Sequence, residues 1–117
     1  MVTSGGTVDP MNESVARAIM DAEGLSHIGL VWSVAEGDLA DGEWLDGSIR
    51  VDAIANDPDD LHNLHALLHE CSHAILSHGW HNDQFYETAL SLFQSYELPM
   101  SWVREREELY PQSWETL

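Results

Sequence analysis

Residues 67–86 read LLHECSHAILSHGWHNDQFY, and the order His69-Glu70-Cys71-Ser72-His73 inside them governs how the rest of the chain is read. On an α-helix, positions i and i+4 lie one above the other, so His69 and His73 project from one face at a separation that a single tetrahedral Zn²⁺ bridges. Glu70 lies about 100° round from His69, beside such a metal rather than on it. A general base for activated water belongs there. Two protein ligands hold zinc poorly, and catalytic sites take three. His81, just past the helix break expected at Gly79, is the first choice for the third, and Glu87 in the following helix is its competitor. His78 points away from His73 if the helix continues, which suits a supporting role. His62 and His65 fall on the same stripe before His69 and read as helix-surface histidines at the edge of a cleft.

The helix that carries the motif has a strong start at Asp57-Pro58-Asp59-Asp60: an N-cap acid, proline at the first helical position, and two further acids in the positive first turn. It is expected to run to about Ser77, with Leu61, Leu64, Leu67, Leu68, Cys71 and Ile75 as its apolar face and Gly79 as its stop. A second helix begins at Asn82, turns Phe85, Ala89, Leu92, Phe93 and Tyr96 inward, and ends at Pro99. A short third one covers Ser101 to Leu109. Upstream, Asp9-Pro10 opens an amphipathic helix that reaches Gly24. Ile28–Val34 and Ser48–Ala55 are β-rich runs, and the acidic, glycine-bearing EGDLADGEWLDG between them reads as a long hairpin connection. The expectation is an α+β domain over residues 9–117, with a small antiparallel sheet, after a flexible lead-in at residues 1–8.

Composition narrows the function. Among 117 residues, 4 cations face 21 acids, a net charge of −17, and all four cations are arginine. A surface that binds nucleic acid displaces counterions with a basic patch, and Arg17, Arg50, Arg104 and Arg106 are too few and too scattered to form one. Direct binding to nucleic acid or to an anionic membrane is not expected. Lysine-dependent chemistry is excluded with the residue itself. Cys71 is the single cysteine, which fits a reducing compartment. The first 25 residues carry only Arg17 and no compact apolar run, so no secretory signal is read and a soluble, cytoplasmic protein is expected.

The segment LLHECSHA followed by His81-x-x-x-Phe85 resembles the SprT-like and WLM zinc metallopeptidases. The resemblance covers about twenty residues and implies a minimal zincin-like fold with one Zn²⁺ per chain. It places His69, His73 and His81 as ligands, Glu70 as general base, and Phe85 as the aromatic anchor of the next helix. A second resemblance, to ImmA/IrrE-like proteins, rests on the strand SIRVD ahead of the motif and on Glu87, Phe93 and Leu98-Pro99 after it, and implies Glu87 as third ligand. The DNA-repair role of some SprT-like proteins is not carried over, because this chain lacks their basic regions.

The implied activity is hydrolysis of peptide bonds by zinc-activated water, with Glu70 moving the proton. Tyr86, Tyr96 and His78 are candidates to stabilise the oxyanion. The substrate is expected to be an extended, basic polypeptide that pairs with the strand Ser48–Ala55. Trp44 and Trp80 fall in expected loops and are candidates to line a cleft. Two other readings compete: a noncatalytic zinc-bearing interaction domain, and an acidic DNA mimic that acts as decoy for a basic partner protein. Zinc is expected to be lost as pH falls below about 6, because histidine must be neutral to bind it.

Overall fold

A computed structural model describes residues 11–57, 61–107 and 109–117. The first helix, α1 (Glu13–Ala22), is capped by Asn12, whose side chain accepts a hydrogen bond from the Val15 N–H, and it buries Ala16 and Met20. The Asp9-Pro10 start and residues 1–8 lie outside the described residues. Arg17 on α1 donates to the carbonyls of Leu25 and Ile28, 2.6 Å each, and so ties the helix to the chain entering the sheet.

The sheet has three strands, β1 (Gly29–Ala35), β2 (Asp41–Trp44) and β3 (Ser48–Ile54), in the order β1-β3-β2. It corrects the expected antiparallel pair. The acidic segment is not merely a connection: Asp41–Trp44 pairs antiparallel with β3, Trp44 opposite Ile49 and Gly42 opposite Val51. The two strands close through Asp46 and Gly47, both left-handed (φ 54° and 122°), with the Leu45 N–H on the Ser48 carbonyl at 2.8 Å. An Asp-Gly pair of this kind is the signature of a two-residue hairpin. With one side of β3 taken, β1 lies on the other, and it runs parallel, Leu30 beside Ile49 and Trp32 beside Val51. Ser48–Ile54 is therefore the central strand with both sides paired, so the strand expected to receive a substrate has no edge to offer.

Ile49 and Val51 point from β3 into the core against α2 (His62–Leu76). Asn63 locks the two elements together: its side chain accepts from the Ile54 N–H at 2.9 Å and donates to the Ile54 carbonyl at 3.0 Å. Asp57 is not the N-cap expected of it: α2 begins at His62 with Leu61 in that position, and Asp57 instead reaches across to accept from the Asn63 N–H and the His62 ring; Pro58, Asp59 and Asp60 lie outside the described residues. Leu67, Leu68 and Cys71 are fully buried, whereas Ile75 is exposed rather than on the apolar face. The helix stops two residues before Gly79. Ser77 is left-handed (φ 58°) and the His78 N–H returns to the His73 carbonyl, a Schellman-type closure.

Asn82 caps α3 (Asp83–Ser95) as expected, accepting from the Phe85 N–H, and Phe85, Ala89, Leu92 and Phe93 are buried. The third helix, α4 (Met100–Arg104), is shorter than expected. A terminal 3₁₀ turn, Gln112–Thr116, then puts Trp114 into the core. No helix among the described residues is long and apolar enough to cross a membrane.

Candidate metal centre

The helical repeat of α2 sets His69 and His73 on one stripe, and the reversal at Ser77 returns the chain so that His81 faces them from the turn before α3. His81 Nε2 lies 3.1 Å from His69 Nε2 and 3.2 Å from His73 Nε2. One ring nitrogen from each of the three lies within 4.8 Å of the others. Phe85 forms the floor: its ring stacks on His73 at 4.4 Å and meets His69 and His81 edge-on at 4.9 and 4.8 Å.

Hydrogen bonding settles which nitrogens face inward. His69 Nδ1 lies 2.9 Å from a Glu107 oxygen, and His73 Nδ1 lies 3.0 Å from the His78 carbonyl. Both partners only accept, so both Nδ1 atoms carry the proton and both Nε2 atoms present lone pairs. A neutral His81 has a single ring proton, and at most one of those lone pairs can receive it. A cation satisfies all three nitrogens at once, and nitrogens bound tetrahedrally to zinc at about 2.05 Å stand about 3.4 Å apart, close to the observed spacings. His69, His73 and His81 together could hold a metal ion.

The electrostatics suit His73 and His81 as neutral donors, whereas His69 is pulled the other way and would have to give up a proton to bind a metal. Burial, with the neighbouring His69 and His81, pushes His73 down to about 4, so it stays neutral near neutrality. Burial also lowers His81. Burial would lower His69 too, but the hydrogen bond and charge of Glu107, with the charges of Glu70 and Asp41, outweigh it and raise its pKa. Glu107 itself is buried, yet the hydrogen bonds and charges of His65 and His69 hold it down at about 2.

Glu70 is buried beside the cluster, its carboxylate 4.0 Å from His69 Nε2. Burial, helped by Asp41 and Glu107, pushes its carboxyl up to about 7. Strand β2 covers it closely: a Cβ on Gly42 would stand 2.7 Å from Glu70 Cγ, nearer than side chains tolerate. A cavity of about 330 Å³ opens here, bounded by residues 40–42 on one side and by Tyr86, Arg106 and Leu109 on the other, with His69, Glu70 and His81 in its wall.

Of the residues singled out from the sequence, His69, Glu70, His73 and His81 come together, and Tyr86 lines the same cavity. Glu87 does not join them; it is exposed on α3. Tyr96 is turned elsewhere, its hydroxyl donating to Glu23 at 2.8 Å. His78 contributes its backbone carbonyl to His73, while its own ring accepts from the Trp80 N–H. His62 and His65 are half-buried rather than surface residues, bonded to Asp57 and Glu107. Trp44 belongs to β2 and is half-buried against the core, and Trp80 is exposed. Two contributors escaped sequence reading. Glu107 sits in the charged run Arg104-Glu105-Arg106-Glu107, which looks like a solvated face; Gly42 sits in the acidic segment, where only its alternation with Asp41, Glu43 and Trp44 hints at a strand. No known protein family, characterised protein or solved structure matches this chain, so its functional reading rests on this geometry alone.

Proposed function

We propose that this chain is a zinc-dependent peptidase, acting on extended, basic polypeptides. The observation that carries the reading is the set of three imidazoles whose Nε2 atoms converge beside a buried glutamate on the wall of an open cavity. His69, His73 and His81 would hold the ion. A bound Zn²⁺ supplies Lewis acidity, polarising a carbonyl and making water a nucleophile near neutral pH.

The remaining work falls to the chain's own groups. Glu70 is the proton carrier: its carboxylate takes a proton from the attacking water and returns it to the leaving nitrogen, and a pKa near 7 suits a group that must do both. A dication beside it favours the charged form from which it starts. Tyr86, in the cavity wall, is the oxyanion donor nominated from the sequence that lies beside the cluster. Among the described strands, β2 has one side paired with β3 and lies along the cavity, so an extended substrate adds to its other side by main-chain hydrogen bonds. Glu36, Asp38, Asp41 and Glu43 precede or belong to that strand, and they favour a basic substrate over an acidic one.

The test is a Glu70→Gln variant assayed for zinc content and for cleavage of an unfolded, arginine- and lysine-rich polypeptide. The variant should keep one zinc and lose cleavage by about 10²-fold or more. Cleavage that survives the change would overturn the mechanism. Wild-type protein that binds zinc but cleaves no such polypeptide would favour the noncatalytic zinc-bearing domain instead.

A further inference from the structure

We infer that Glu107 is a positioning residue of the metal centre, and that the segment after α4 which carries it belongs to the metal site as much as the helix that bears the motif. The inference rests on the reading that His69, His73 and His81 hold a metal. Glu107 is 5% exposed, and one of its oxygens accepts from two rings a helical turn apart, His69 Nδ1 at 2.9 Å and His65 Nε2 at 2.6 Å. Two donors on one oxygen fix its place along α2. The segment is held from its own side as well: the Glu107 N–H donates to the carbonyl of the fully buried Val103, and the Arg106 guanidinium lies over the Trp102 ring at 3.9 Å. Trp102 in turn meets His62 and His65 edge-on, at 5.1 and 5.5 Å.

A histidine that binds a metal through Nε2 must keep its proton on Nδ1, and an acceptor there fixes the tautomer, sets the ring's rotation and strengthens Nε2 as a donor. Glu107 does this for His69 with a carboxylate. His73 has only a neutral carbonyl in the same role, from His78. Glu107 is not itself a ligand to the ion at the cluster, because it sits on the Nδ1 side of a ring whose Nε2 faces the other histidines. His65 is not one either, since its Nε2 is committed to the carboxylate.

Zinc affinity, measured by competition with a chromophoric chelator, and the melting temperature of the metal-free protein should be compared in wild type and Glu107→Gln. The amide keeps the size and loses the charge. The variant should bind zinc 10- to 100-fold more weakly, while its metal-free form stays folded at the assay temperature. Affinity within twofold of wild type would overturn the inference. A measurement on the wild type needs no variant: long-range ¹H–¹⁵N correlation of the histidine rings during zinc titration should show His69 protonated at Nδ1 and shifted at Nε2. Zinc on Nδ1, or a proton on Nε2, would overturn it equally. Failure of the wild type to bind zinc at all would instead overturn the metal centre.

Discussion

Two clusters of opposite chemistry stand a few residues apart on this fold. On the outer face of the sheet, Arg50 of β3 lies among Asp41, Glu43 and Asp52, at 3.7, 2.8 and 3.3 Å. The chain supplies both the anions and the cation, and the three carboxylates are 47–76% exposed while Arg50 is half-buried among them. Behind the inner face, His69, His73 and His81 bring one ring nitrogen each within 4.8 Å of one another. Their backing is buried, with Phe85 and Glu107 beneath them, while His81 is exposed and the cluster faces the cavity. The outer set balances charges of both signs across the sheet surface; the inner set gathers three ring nitrogens that could hold a metal ion.

The largest effects are expected at the histidines. Zinc at a hundred times its Kd should stabilise the wild type by about 2.7 kcal/mol, a rise in melting temperature on the order of 10 °C for a domain of this size. His73→Ala should abolish that rise and weaken zinc by more than the roughly 100-fold expected of a positioning partner; calorimetric scans with and without zinc would show an undiminished rise if the cluster is not the site. An effect of similar size, read through pH, comes from Glu70 in the metal-free protein. Its carboxyl titrates near 7 in the fold, above an ordinary value of 4.5, so the stability it contributes is present below about 4.5 and is lost as pH rises through about 7. Glu70→Gln does not titrate. Between pH 4.5 and about 8, urea melts should move in favour of that variant by up to about 3 kcal/mol, and a constant gap would mean the carboxyl is not desolvated. The smallest effect belongs to the outer cluster. Arg50→Gln should cost no more than about 1 kcal/mol, and less in salt, because its partners are 47–76% exposed. It should leave zinc binding unchanged. A larger loss in urea melts would mean that the outer cluster, too, is structural.

How legible each part was follows from how local its cause is. The motif helix, the Asn82 cap and the return of His81 were readable because a 3.6-residue repeat and a capping side chain act within a few positions. The parallel course of β1 was not: it follows from β2 standing between β1 and β3 in sequence and forming the hairpin with β3, so that β1 reaches β3 by a crossover. Strand β2 itself was hidden because its outward residues, Asp41 and Glu43, are acids that resemble a loop's, although the Asp46-Gly47 turn beyond it was a signal available in the sequence. The helix stop fell at Ser77 and not at Gly79 because backbone hydrogen bonds to Ala74 and His73 offset the cost of a left-handed serine. Glu107 could not be found at all by spacing, since 38 residues separate it from the ring it holds.

The close cover of Glu70 by Gly42 has a consequence in time rather than in space. Strand β2 is bound to the sheet along one side over four residues, and an edge held so briefly opens locally at less free energy than the centre of the sheet. While it is closed, the backbone at Gly42 leaves the Glu70 side chain no room to swing toward it. A rotamer change at Glu70 in that direction, which in an exposed side chain takes picoseconds to nanoseconds, has here to wait for β2 to move.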